Sequence, residues 1–274
     1  MTELRGEEKV AAATIVKTLS LTVEQHDDGS QPGMHDLSIV TADGSLAAVE
    51  VTAAADPDSI QLWKLVNGRG ERWTVPKLQG GWMLHLEPTA RANRLLKELP
   101  ALLGELEDQE VTEIPPQRRR QEAPESVEGR ARALGIVSGN QSAGTDFPGS
   151  IYLTIEQPRE RTGGVVDSTG SAVPGWVRSF LLAPQQSDVL GKLARSGASE
   201  RHAFILVPGF TTAPFGVVDM LWRGQDDLVP TTSPDLPEQV THVWLMAFWT
   251  IGSGLRWSPD GGWERFERQF RIQD

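Results

Sequence analysis

Hydrophobic positions along the chain switch between a helical and a strand period, and the switches lay out the elements. In 8–23, Val10, Ile15, Leu19 and Val23 recur at spacings of four or five around Ala11, Ala12 and Ala13, which predicts a helix. Residues 25–33 are polar and contain Gly29, Pro32 and Gly33, the composition of a loop. Short alternating runs at 35–41 and 45–52 predict two strands around Ala42-Asp43-Gly44. Pro57 opens a short helix to about Val66, with Asp56 as its N-cap and Gly68 and Gly70 beyond its end. A third strand is expected at 82–86. Residues 89–106 predict a helix capped by Thr89, with Leu95, Leu99, Leu102, Leu103 and Leu106 on its apolar face. Pro100 lies inside that pattern and predicts a kink or a split into two helices.

Residues 109–132 break the pattern. They hold Pro115, Pro116, Pro124 and the run Arg118-Arg119-Arg120, and read as an exposed polar connector with solvated arginines. Beyond it the chain is strand-rich. Apolar runs at 150–156, 203–207 and 240–247 predict strands, 185–196 a helix, and 255–266 a hairpin around Pro259-Asp260-Gly261-Gly262. The expected fold class is α/β or α+β, a mixed sheet flanked by helices. The expected organisation is a core segment at 1–108, the connector, and a β-rich half at 133–274, packed together as one unit.

Composition narrows the function classes. The chain has no cysteine, which removes disulfides, thiolate metal sites and cysteine nucleophiles. No run approaches the ~18 apolar residues of a membrane span, and 1–10 lacks the apolar stretch of a signal peptide, so no membrane partner and a cytoplasmic location are expected. The formal net charge of −11 argues against a protein that coats nucleic acid, yet suits a site that holds a divalent cation between carboxylates. The five histidines show no zinc spacing, and neither a phosphate-loop motif nor a Gly-x-Ser-x-Gly elbow is present. The nine tryptophans, among them Trp244, Trp249, Trp257 and Trp263, read as core filling rather than as stacking platforms.

The strands at 35–52 carry the chemistry. If their apolar residues share one face, Leu37 faces Val49 and Ile39 faces Ala47, and Asp36 then sits beside Glu50 on the other face. A three-residue loop ending in Gly44 produces that same register, whereas a two-residue Asp43-Gly44 turn would split the carboxylates between faces. Two carboxylates directly opposite, with Cβ atoms about 5 Å apart, repel unless a cation lies between them. Mg²⁺ or Mn²⁺ is a suitable ion, since hard cations take oxygen ligands.

A helix, a strand with an acidic residue, a hairpin and a strand bearing Glu-x-Lys resembles the core of the PD-(D/E)XK nuclease superfamily of restriction-type and repair endonucleases. The matching residues are Asp36 and Glu50-Val51-Thr52, over about the first quarter of the chain. The resemblance implies a restriction-endonuclease-like core in which Asp36 and Glu50 bind the metal, with Glu24 as a further contact. Thr52 stands where the motif has lysine. Some members place that lysine on the following helix, where Lys64 is the candidate, with Gln61 one turn before it. His26 and His35 are lesser candidates for proton transfer. The implied function is a metal-dependent endonuclease that hydrolyses DNA phosphodiester bonds in defence or DNA processing. The alternative is a catalytically degenerate nuclease fold that binds protein or nucleic acid. A protein partner and a homo-oligomer both remain open.

Overall fold

Two runs of consecutive buried apolar residues set the centre of the larger unit. Strands β9 (Arg201–Val207) and β10 (His242–Ala247) are covered on both faces, which is why they read as continuous rather than alternating stretches. The computed structural model describes residues 4–41, 44, 46–67, 73–115, 126–142, 148–156, 169–222, 228–247 and 253–267. Its fold class is α/β, with one mixed sheet of seven strands and one of five, and helices packed on them. The chain divides into two units, Met1–Ala55 with Arg159–Asp274, and Asp56–Pro158.

In the first unit the sheet order is β1 (Thr22–Gln25), β2 (Leu37–Val40), β3 (Leu46–Ala53), β9, β10, β11 (Ser253–Ser258) and β12 (Gly262–Glu267). The pairs β3–β9 and β9–β10 are parallel, and the other neighbours are antiparallel. Helix α1 (Gly6–Leu19) lays Ala11 and Ile15 on Leu37, Ile39, Ala47, Val49, Phe204 and Trp244 on one face. On the other face, α5 (Ala172–Leu181), α6 (Ser187–Arg195) and α7 (Phe215–Trp222) bring Val177, Leu193 and Leu221 onto Ala48, Ala203, Ile205 and Leu245. Trp244 and Trp263 fill these cores, as expected for tryptophan with its large buried area. Trp249 lies outside the described residues.

The β2–β3 register is the one the apolar pattern requires: Leu37 pairs with Val49 and Ile39 with Ala47. Gly44 has φ +82° and donates its N–H to the Thr41 carbonyl at 2.9 Å, a left-handed turn position that glycine fills without strain. Ala42, Asp43 and Ser45 lie outside the described residues. The first helix ends at Leu19 rather than at Val23. Ser20 adopts a left-handed conformation (φ 56°), and the β-branched Thr22 and Val23 then extend into β1.

The second unit has the sheet order β4 (Trp73–Thr74), β8 (Ser150–Ile155), β5 (Gly81–Leu86), β7 (Ile136–Ser142) and β6 (Glu113–Ile114). Helices α2 (Pro57–Asn67), α3 (Ala92–Asp108) and α4 (Val127–Ala133) belong to it. The leucine face of α3 is buried with Trp82, Leu84 and Leu153. Helix α3 starts at Ala92, with Arg91 rather than Thr89 at its N-cap, and runs through Pro100 without a break. Leu95 and Leu99 before the proline and Leu102, Leu103 and Leu106 after it are all buried, and that burial offsets the hydrogen bond that proline removes. The stretch expected as a connector contributes β6 and α4, while Arg118-Arg119-Arg120 lies outside the described residues. Among the described residues no helix is long and apolar enough to cross a membrane.

Packing at the far edge of the first sheet yields a stability test. Gly254 on β11 faces Phe266 on β12, and a Cβ at 254 would overlap the Phe266 ring and crowd the Leu245 carbonyl. Gly254→Ala is expected to destabilise the protein by about 1–3 kcal/mol in urea unfolding, the usual cost of overpacking a core. A loss below about 0.5 kcal/mol would mean that Phe266 does not rest on the glycine.

Candidate functional site

Asp36 precedes β2 and Glu50 lies within β3, and each is only 2% exposed. Backbone and side chains lock them reciprocally. The Asp36 N–H donates to Glu50 Oε1 at 3.1 Å, and the Val51 N–H donates to Asp36 Oδ2 at 2.8 Å. The remaining carboxylate oxygens meet a cation from α6. Lys192 Nζ lies 3.4 Å from Glu50 Oε1 and 3.7 Å from Asp36 Oδ1, and donates to Glu50 Oε2 at 3.4 Å. Arg5, at the start of α1, reaches Asp36 Oδ1 at 3.5 Å and also pairs with the buried Glu8. Glu8 in turn accepts the Arg5 backbone N–H at 2.8 Å, which closes the first turn of the helix.

Helix α6 delivers the lysine because its apolar stripe docks on the sheet. Val189 and Leu193 are buried at i and i+4, and Lys192, three residues after Val189, projects beside them toward β3. Where the motif lysine would stand, Thr52 donates its hydroxyl to Gln186 Oε1 at 3.0 Å instead.

Burial dominates the electrostatics. It raises the Asp36 pKa above the usual carboxylate value. Burial, with the Asp36 charge alongside, pushes Glu50 up to about 8. Burial works against the Lys192 ammonium, but Glu50 and Asp36 outweigh it and hold its pKa above the ordinary lysine value. At neutral pH the carboxylate pair therefore keeps a proton as well as an ammonium partner.

The structure brings Asp36 and Glu50 together as the strand pattern requires. Glu24 is exposed on edge strand β1, opposite Ser38, rather than at the end of a helix. Lys64 is exposed on α2, in the second unit, and so is Gln61. His26 and His35 stack with ring centroids 3.7 Å apart. Burial, with His26 and Lys192 nearby, lowers the His35 pKa to about 4. Both rings line a cleft of about 640 Å³ that also takes in Lys192 and Arg195. Lys192, Arg5 and Glu8 were not singled out from the sequence. A usable signal for Lys192 was a helix at 185–196 placed before an apolar strand, the form of a crossover between parallel strands.

A second cluster lies on the same sheet. Glu200, His202 and His242 offer three ligand atoms within 4.8 Å and could hold a metal ion. His202 and His242 are register partners at the starts of parallel β9 and β10, so their rings stack, 4.2 Å apart and 9° from parallel. The Trp244 indole donates to His202 Nδ1 at 3.1 Å, which leaves the ring proton on Nε2, aimed at Glu200 Oε2 at 3.3 Å. An ion would need that proton removed and one ring turned, because two parallel rings share no in-plane point.

The carboxylate pair sets a pH test. Glu50, raised to about 8 from 4.5, is protonated in both states below about pH 4.5 and then contributes nothing. Between the two values the folded chain keeps a proton that the unfolded chain releases, so stability falls as pH rises, by up to about 1.4 kcal/mol per pH unit. Above about pH 8 the loss is complete. Glu50→Gln is expected to raise the urea midpoint at pH 8 and to leave it nearly unchanged near pH 4.5. An equal effect at both pH values would show that Glu50 is ionised throughout.

No family model, curated protein or solved structure matches this chain, so the reading of the site rests on its own side chains.

Proposed function

We propose that the first unit is a metal-dependent nuclease that hydrolyses phosphodiester bonds of DNA, with Asp36 and Glu50 as metal ligands and Lys192 as the charge-stabilising residue. The observation that carries this reading is the buried carboxylate pair with an ammonium within 4 Å of both members. The order of elements supports it. A helix, an acidic residue before a strand, a hairpin and a strand bearing glutamate follow one another, with edge strand β1 between the helix and the acidic residue. In this unit the lysine reaches the site from α6, the second helix after β3, with Asp56–Pro158 and α5 between them in the chain.

The donor set fits a hard divalent cation. Both ligands are carboxylates, and their free oxygens converge on the point that Lys192 Nζ occupies, so the ammonium must move aside for an ion to bind. A Mg²⁺ or Mn²⁺ ion held there would supply Lewis-acid polarisation of a phosphate oxygen and a lowered pKa for bound water. Asp36 and Glu50 are oriented for this by the Val51 and Asp36 N–H groups, which occupy one oxygen of each. Lys192 then faces the negative charge that grows on the phosphate oxygens as water adds to phosphorus and the bond to the leaving sugar oxygen breaks. The Glu50 proton would have to leave for a cation to bind, so metal affinity is expected to rise with pH toward about 8.

A catalytically degenerate fold is the second reading, and one observation favours it. Lys192 and Arg5 already pair the two carboxylates, and Thr52 is engaged with Gln186.

Nicking of circular DNA in Mg²⁺ or Mn²⁺, together with Mn²⁺ titration, separates the two. Under the nuclease reading Glu50→Ala abolishes both binding and cleavage. Lys192→Ala retains Mn²⁺ binding and loses about 10²–10³-fold in turnover, the scale expected for removing one charge stabiliser. A wild-type protein that neither binds Mn²⁺ nor cuts would establish the degenerate reading.

A further inference from the structure

The 640 Å³ cleft begins where the carboxylate site ends. Lys192 lines it and also contacts Asp36 and Glu50, and His35 and Ser38, which flank Asp36 and its strand, form part of its wall. In a chain of net charge −11, no aspartate or glutamate is among its described lining residues. Lys192 and Arg195 enter it from one side of α6, three residues apart on one helix face, and His26, His35, Ser38 and Ser196 add polar groups.

Arg195 is exposed at the cleft, with its guanidinium beside two glycines. A Cβ on Gly33, which has φ +81°, would lie 2.9 Å from Arg195 Nη2, and a Cβ on Gly191 would lie 3.1 Å from Nη1. Two residues without side chains therefore make room for the guanidinium, one in a left-handed turn and one on the helix. Among the described residues no carboxylate pairs with it. A planar fork of donors, near the Lys192 ammonium and at a cleft with no acidic residue among its described lining, can bind a phosphate through two parallel hydrogen bonds. The volume falls in the range of small-ligand sites.

We infer that this cleft is a phosphate subsite in which Arg195 holds a backbone phosphate of a nucleic-acid strand next to the bond at Asp36 and Glu50. The subsite rests on the nuclease reading for its role, since the strand is held so as to present the neighbouring phosphate. It is tested by binding alone. Lys192 spans both regions, so the strand runs from the cleft toward the carboxylates. Contact is to the backbone and is indifferent to base sequence.

The test is fluorescence anisotropy with labelled dT10 and dA10 in EDTA, over a salt series, for wild type, Arg195→Ala and Arg195→Lys. Arg195→Ala is expected to weaken both strands equally, by several-fold or more, and to reduce the salt slope by about 0.7, the loss of one phosphate contact on a single strand. Arg195→Lys is expected to keep the slope and lose part of the affinity, because lysine keeps the charge and lacks the fork. Wild-type anisotropy that does not change at low salt, or an Arg195→Ala protein with unchanged affinity and slope, would overturn the subsite. Nicking by the same proteins keeps the two readings apart. Arg195-dependent binding without cleavage leaves the subsite and removes the catalysis, whereas cleavage with Arg195-indifferent binding does the reverse.

Discussion

The parallel pairing of β3 with β9 is the contact on which the first unit depends. It joins residues 48–53 to residues 201–206 in register, and Ala54 extends the ladder by donating to the Leu206 carbonyl at 2.7 Å. Parallel strands need a crossover, and the chain supplies one through α5 and α6. The crossover helices must cover the face of the sheet on which Ala48, Ala203 and Ile205 lie. Lys192 is carried to Asp36 and Glu50 by that requirement, since α6 can bury Val189 and Leu193 only with its flank against β3. A second parallel pairing, of β10 on the other edge of β9, puts His202 opposite His242.

Burying two carboxylates side by side is costly, and the structure shows how the cost is contained. Each accepts a backbone N–H, each meets a cation, and the raised pKa of Glu50 keeps it protonated at neutral pH, which removes one of the negative charges. Both acids share Lys192 as a partner, so the pair behaves as a unit rather than as two separate sites. The His202–Trp244 bond shows the contrasting case. There a buried imidazole is held neutral by burial and by a donor on its other nitrogen, and the surrounding core stays closed around it.

The pairing of Asp36 with Glu50 was legible in the sequence because three local signals agree: Leu37 and Ile39 alternate, Ala47 and Val49 alternate, and Gly44 fits a left-handed turn. Agreement of that kind needs no distant information. Lys192 was not legible in the same way, because it stands 142 residues from Glu50 and the nearest helix in the chain, α2, belongs to the other unit. Glu24 was misplaced for a local reason. A helix period of four or five continues through Val23, and only the left-handed Ser20 ends the helix early. Pro100 does not split α3 into two helices, because leucines on both sides of it are buried on one face. The polar stretch at 109–132 resembles a boundary in composition, yet the sheets divide the chain at Ala55 and Arg159.

The insertion of Asp56–Pro158 between β3 and its parallel partner has a consequence for biosynthesis. At roughly 5–20 residues per second, β9 is made about 7–30 s after β3. Throughout that interval the edge of β3 that later pairs with β9, residues 48–53, has no strand to pair with. The strands and helices of the second unit, by contrast, all find their sheet partners within 56–158 and can close first. The order of synthesis thus leaves the amino-terminal hairpin as an open template for the longest time, and makes it the segment of the nascent chain in greatest need of a chaperone.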